Sequence, residues 1–323
     1  MSFSSPISLL NVDAQPGKPP MLRVDATGDA PAWAAAHRDA LRAAVAEHGS
    51  LLVRGLRLRD AVETEAVFRR LASLMTEKEA FASRRNYSPG VYSSSKWPPN
   101  RPMCMHHELS YLLEFPSLML FACLIAPIHG GATPVADAAS VLEALPAGLI
   151  GRFERVGWLL IRNYNNEIGA SISEAFGTDN RLAVESYCRA NAIEFEWKAD
   201  GALRTWQRRN AIMRHPLTAR NCWFNQIAFL NEWTIDPELR EYLVDAYGEE
   251  GLPFNTRFGN GDAIGADIVQ LINEVYDAHT AREPWQSGDL MLVDNVRTAH
   301  ARERFEGPRE VLVAMADPVR LAG

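Results

Sequence analysis

The stretch CMHHELSY, Cys104 to Tyr111, followed shortly by SLMLFACLI, Ser117 to Ile125, decides how the chain reads. The second segment is apolar on both faces, as the central strand of a sheet is. The first places His106 and Glu108 two residues apart. On a strand such residues project from one face. An imidazole and a carboxylate on one face make half of a metal site. A second histidine far along the chain would complete it, and His300, in DNVRTAHAR, is the candidate.

Two imidazoles and one carboxylate with open positions form the ligand set of non-heme Fe(II) oxygenases. The triplet alone is a weak signal, because such a histidine is more often a satisfied core or surface residue. His107 is the rival ligand. As the immediate neighbour of Glu108 it would face the opposite side of a strand, which favours His106. Cys104 is a further alternative, although a free cysteine usually behaves as a small buried apolar residue. His129 and His215 sit beside turn residues and read as structural or solvated. An anionic co-substrate also needs a cation. Arg309 lies nine residues after His300, on the next expected strand. A guanidinium can hold a carboxylate through two parallel hydrogen bonds. Thr133 offers a hydroxyl after a glycine turn that lets the backbone approach closely.

Composition narrows the class. The chain has 323 residues, 47% hydrophobic and 23% charged, enough for a large core in one or two domains. A net charge of −7 argues against a nucleic-acid or anionic-membrane binder. No apolar run reaches the length of a membrane span. MSFSSPISLL lacks the basic and long apolar regions of a secretory signal. Cys104, Cys123, Cys188 and Cys222 show no zinc-ribbon spacing and would stay reduced in a cytoplasmic protein.

A helix is expected from Asp29 to Gly49, with Pro31 in its first turn. SLLVRGL, Ser50 to Leu56, reads as a buried strand. Val67, Phe68, Leu71, Leu74 and Met75 recur at helical spacing. Arg84 to Pro102 is turn-rich and reads as a loop. Residues 156–164, 193–197, 221–229, 289–295 and the REVLVAMADP segment read as strands. Further helices are expected over 181–190, after Asp236 and after Asp262. There is no βαβ rhythm and no phosphate-binding glycine motif. The pattern is mainly β with helical insertions, a barrel or sandwich in a single domain.

Eight segments carry a resemblance in matching order: AAVAEHGSLLVRGL, MHHELSY, FACLIAPIHGGATPVAD, EAFGTDNR, NCWFNQI, LPFNTRFGNG, WQSGDLMLVDN and HARERFEGPREVLVAMADP. With them the chain resembles the taurine dioxygenase family of Fe(II)/2-oxoglutarate-dependent oxygenases, and within it the syringomycin-type amino-acid hydroxylase branch. The resemblance implies a double-stranded β-helix, or jelly roll, with residues 1–323 as a single dioxygenase domain. It implies that His106, Glu108 and His300 hold catalytic Fe(II), and that Thr133 and Arg309 hold the far carboxylate of 2-oxoglutarate. With O2, the keto acid is converted to succinate and CO2 while a substrate C–H bond is hydroxylated. Desaturation, epoxidation or cyclisation are alternative outcomes on the same ligands, and a non-catalytic jelly-roll binding protein is the remote alternative. The implied substrate is an amino acid or derivative, free or tethered to a peptidyl carrier protein, in specialised-metabolite or antibiotic biosynthesis. Neither nucleic acid nor membrane is an expected partner.

The chain departs from the branch in places. It reads HHE where relatives show HNE, and it keeps Glu108 where halogenating relatives have a small residue. SSSKWP stands where TSTEYP is usual, so Lys96 reverses a charge near the expected substrate site. Val313 stands where some relatives acting on free small acids carry a second arginine, which suggests a substrate without a free acid there. Lys96, Asn225 and Arg304 are the candidate substrate contacts.

Overall fold

The computed structural model describes residues 10–25, 28–77, 79, 84–94, 97–165 and 167–321. Its main sheet has eight strands. In spatial order they are Val12–Asp13, Met21–Arg23, Ser50–Arg54, Leu290–Asp294, Glu114–Ile125, Glu310–Arg320, Val91–Ser93 and Asn86–Ser88. Met21–Arg23 runs parallel to Ser50–Arg54; the other neighbours are antiparallel.

The period of two in the central strands sorts their side chains into two cores. Leu118, Leu120, Ala122, Leu290, Leu292, Leu312, Ala314 and Ala316 point to one face. There the helices Ala30–His48 and Ala61–Leu71 cover them with Leu41, Val45, Val67, Phe68 and Leu71. Asp29 and Asp60 cap these helices, each accepting a first-turn amide hydrogen bond. Phe115, Met119, Phe121, Cys123, Met291, Val293, Val311, Val313 and Met315 point to the opposite face. They share a core with Met105, Val135, Ala299 and Ala301, from a three-stranded sheet ordered Met103–His106, Thr298–Arg302, Val135–Asp137. Both candidate histidine ligands lie on that smaller sheet.

Gly49 ends the first helix at φ 82°. A Cβ there would fall 2.4 Å from Thr298 Oγ1. Only glycine lets the helix end close against the strand that carries His300.

A four-stranded sheet, ordered Glu194–Trp197, Leu203–Arg209, Trp158–Tyr164, Phe254–Phe258, carries the helices Ile172–Phe176 and Arg181–Ala190 on a small core of Tyr164, Ala175, Val184 and Cys188. Strands and helices take similar shares of the chain, so the fold is mixed rather than mainly β. No described helix is long and apolar enough to cross a membrane.

The structure corrects several boundaries. The second helix stops at Leu71, because the chain turns to pair with the last strand: Met75 N donates to Met315 O at 2.9 Å. The segment expected as a loop from Arg84 contains the hairpin of Asn86–Ser88 and Val91–Ser93, whose Val91 and Tyr92 are buried. The segment 221–229 is a strand only through Trp223, since the Asn225 side chain then turns the backbone by accepting from Ile227 N. The helix Ala147–Val156 and the strand Leu203–Arg209 were not expected. That strand buries Thr205, Gln207 and Arg209, so its inward face carries no apolar signal.

Leu120 is fully buried on the helix side of the sheet. Leu120→Ala should lower unfolding stability by about 2–5 kcal/mol in urea titrations. A loss below about 1 kcal/mol would show that this face of the sheet is not a packed core.

Candidate metal centre

Antiparallel pairing of Met103–His106 with Thr298–Arg302 sets His106 directly opposite His300. Their ring centroids are 4.5 Å apart. Glu108 joins them differently from the strand alternation expected above. The strand ends at His106, and Glu108 begins a turn that continues through Leu109 at φ 54°. Asn295 fixes that turn. Its Oδ1 accepts from Glu108 N at 2.8 Å, and its Nδ2 donates to Glu108 O at 2.9 Å and to Pro116 O at 2.8 Å. Glu108 Oε2 then lies 3.7 Å from His300 Nε2. One potential ligand atom from each of His106, Glu108 and His300 falls within 4.8 Å of the others. All three residues are buried.

The donor set suits a divalent cation. His106 Nδ1 donates to Cys104 O at 2.8 Å, so its Nε2 lone pair is free to ligate. Phe229 stacks on His106 at 4.6 Å and Phe121 meets His300 edge-on at 5.1 Å. Burial, then the neighbouring His300, push the His106 imidazole down to about 3, which keeps it neutral. Burial alone would raise Glu108. Arg84 outweighs it, with the histidines, and holds the carboxyl well below the usual carboxylate range. Arg84 NH2 lies 3.2 Å from both Glu108 oxygens. The turn-rich reading of its loop gave no sign of this contact.

The rival ligands point elsewhere. His107 is fully buried, donates from Nδ1 to Asn295 O at 2.6 Å and packs on Phe224. The Cys104 thiol is pushed up to about 11 by burial and lies outside the ligand cluster. His215 Nε2 donates to Asp294 at 2.9 Å, while its Nδ1 accepts from Leu217 N and Thr218 N. His129 is exposed.

Thr133 and Arg309 line the same cavity as His106, Glu108 and His300, a space of about 40 Å³ that Arg84, Ser94 and Val313 also border. Thr133 Oγ1 accepts from Trp285 Nε1 at 3.2 Å. Arg309 donates to Gly131 O at 3.0 Å and to Ser94 Oγ at 3.1 Å, and has no carboxylate partner among the described residues. Burial, then the nearby Arg302, lower it to about 10. Arg302 grips the approach segment by donating to the carbonyls of Trp97, Pro98 and Arg101. Arg304 is exposed on a neighbouring surface cleft of about 1070 Å³. Asn225 is buried outside the cavity and donates to Ala211 O. Lys96 lies outside the described residues.

Residues 14–315 match the family model described as taurine catabolism dioxygenase TauD, TfdA family. The dapdiamide synthesis protein DdaC of Enterobacter agglomerans is 33% identical over 280 residues, covering 85% of this chain and 84% of its own. A clavaminate synthase-like protein of Arabidopsis thaliana is 28% identical over 249 residues, covering 72% and 71%. Among solved structures, PvcB of Pseudomonas aeruginosa superposes with a TM-score of 0.56 at 16% identity, covering 95% of this chain and 89% of that one. That likeness speaks to the fold.

Burial of His107 gives the metal-free protein a pH dependence. His107 is pushed from 6.5 down to about 4, first by burial. In the unfolded chain it takes up its proton near its ordinary value, so stability is full above about 6.5 and falls as the pH drops toward about 4. Denaturant titrations at stepped pH should show this loss. His107→Asn, which keeps a donor for Asn295 O, should flatten the slope. An unchanged slope would mean that the buried imidazole does not set it.

Proposed function

The chain belongs to the TauD, TfdA family of dioxygenases, and from that premise we propose that it is an Fe(II)/2-oxoglutarate-dependent oxygenase hydroxylating an amino acid or amino-acid derivative. The observation that carries the reading is one small cavity that joins two imidazoles and a carboxylate to an arginine with no carboxylate partner among the described residues. His106, Glu108 and His300 would hold the iron, and Thr133 and Arg309 the far carboxylate of 2-oxoglutarate. The main sheet and the three-stranded sheet that shares its core are read as the two halves of a jelly roll, in a single domain.

Bound iron supplies the oxidising power, drawn from O2 and the keto acid; the protein supplies position and shielding. His106 presents Nε2 because its other nitrogen is tied to Cys104 O. Asn295 keeps the Glu108 backbone in the turn that aims its carboxylate at the histidines. Phe121 and Phe229 wall the imidazoles against water. Arg309 sits in low dielectric, where a guanidinium with no carboxylate partner among the described residues strongly favours an anion.

The name of DdaC, dapdiamide synthesis protein, supports a place in specialised-metabolite biosynthesis. Val313 gives the cavity an apolar wall, which suits a substrate whose acid is masked as an amide or a carrier thioester. Arg304, exposed on a separate cleft, would be a substrate contact only for a substrate that extends beyond the cavity. Four free thiols suit a cytoplasmic protein. Desaturation, epoxidation or cyclisation would use the same residues, with substrate placement deciding.

Anaerobic Fe(II) plus 2-oxoglutarate should give a weak visible charge-transfer band, and His300→Ala should abolish it. Absence of the band in the unaltered protein would sink the enzyme reading. Arg309→Ala should weaken 2-oxoglutarate binding by about 2–5 kcal/mol; unchanged affinity would move the anchor to another residue. Mass spectrometry of products from free and carrier-loaded amino acids tests the substrate form. Turnover of the free form alone would overturn carrier presentation.

A further inference from the structure

We propose that Arg84 is a positioning residue for Glu108: it holds one carboxylate oxygen so that only the other reaches the metal ion. This rests on the Fe(II) reading above. A carboxylate can meet a divalent cation through one oxygen or through both. With two imidazoles already bound, chelation by both oxygens would leave too few positions for a chelating keto acid and dioxygen. Something must keep one oxygen away.

Arg84 is placed to do so. Its NH2 lies 3.2 Å from each oxygen of Glu108, and the side chain borders the cavity. Arg84 reaches both oxygens equally, and Oε2 also sits 3.7 Å from His300 Nε2; an ion seated between the histidines would draw Oε2 and leave Oε1 to Arg84. The Arg84 Nε lies 3.4 Å from Glu77, and both side chains are only 9% exposed. Glu77 is therefore a second counter-charge that anchors the guanidinium beside Glu108. Without that anchor, Arg84 could swing toward an incoming carboxylate instead of staying on Glu108.

The role is tested on metal-free wild type, Arg84→Gln and Arg84→Lys, each titrated with Mn(II). Water on the bound ion is counted from EPR line broadening in water enriched in a magnetic oxygen isotope. Wild type should keep three waters, the number left by three single-atom ligands on a six-coordinate ion. Arg84→Gln should bind Mn(II) at least as tightly but hold one water fewer, and its Mn(II) form should bind 2-oxoglutarate about tenfold or more weakly. Arg84→Lys, which keeps a cationic donor, should restore the wild-type count. An undiminished water count in Arg84→Gln overturns the proposal. So does loss of Mn(II) binding in both variants, which would make Arg84 a structural support. A wild-type protein that binds no Mn(II) overturns the iron reading itself, and the proposal with it.

Discussion

A carboxylate cannot be taken out of water without compensation, and Glu108 is almost wholly buried. The site is arranged around that constraint. Arg84 gives the counter-charge on one side, and His300 approaches on the other. Asn295 satisfies the backbone amide and carbonyl of Glu108, so the turn that departs from the strand leaves neither group orphaned. A carboxylate and two imidazoles fixed around one point are also what a cation site needs before the cation arrives. The same residues that make burial tolerable make the ligand geometry rigid.

The sheets make that rigidity possible. Alternation along Glu114–Ile125, Leu290–Asp294 and Glu310–Arg320 sends one set of side chains under the two N-terminal helices and the other set toward the smaller sheet. The second set forms the floor beneath His106 and His300. A one-residue slip in register would exchange the two faces and turn the floor outward. The pairing of His300 with His106 is a consequence of the same register, carried across to the strand Thr298–Arg302.

Much of this could be read from the sequence, for identifiable reasons. Long apolar strands and capped helices announce themselves through periodicity and through residues such as Asp29, Pro31 and Gly49. His106, Glu108, His300, Thr133 and Arg309 were legible as a set because eight segments in matching order fixed their context. Glu108 stands beside the two histidines, but a turn whose next residue has positive φ brings it there rather than strand alternation. Asn295 and Arg84 were missed because both act through long-range contacts. The only local trace of Asn295 is a polar residue closing the apolar run LMLVD. Leu203–Arg209 stayed hidden because its buried face is Thr205, Gln207 and Arg209, which no hydropathy pattern marks.

The most direct measurement is anomalous diffraction at the iron edge from crystals grown anaerobically with Fe(II) and 2-oxoglutarate. A single peak among His106, Glu108 and His300 is expected, with the far carboxylate of the keto acid on Arg309. A peak elsewhere, or none despite bound 2-oxoglutarate, would contradict the assignment of this cavity as an iron centre.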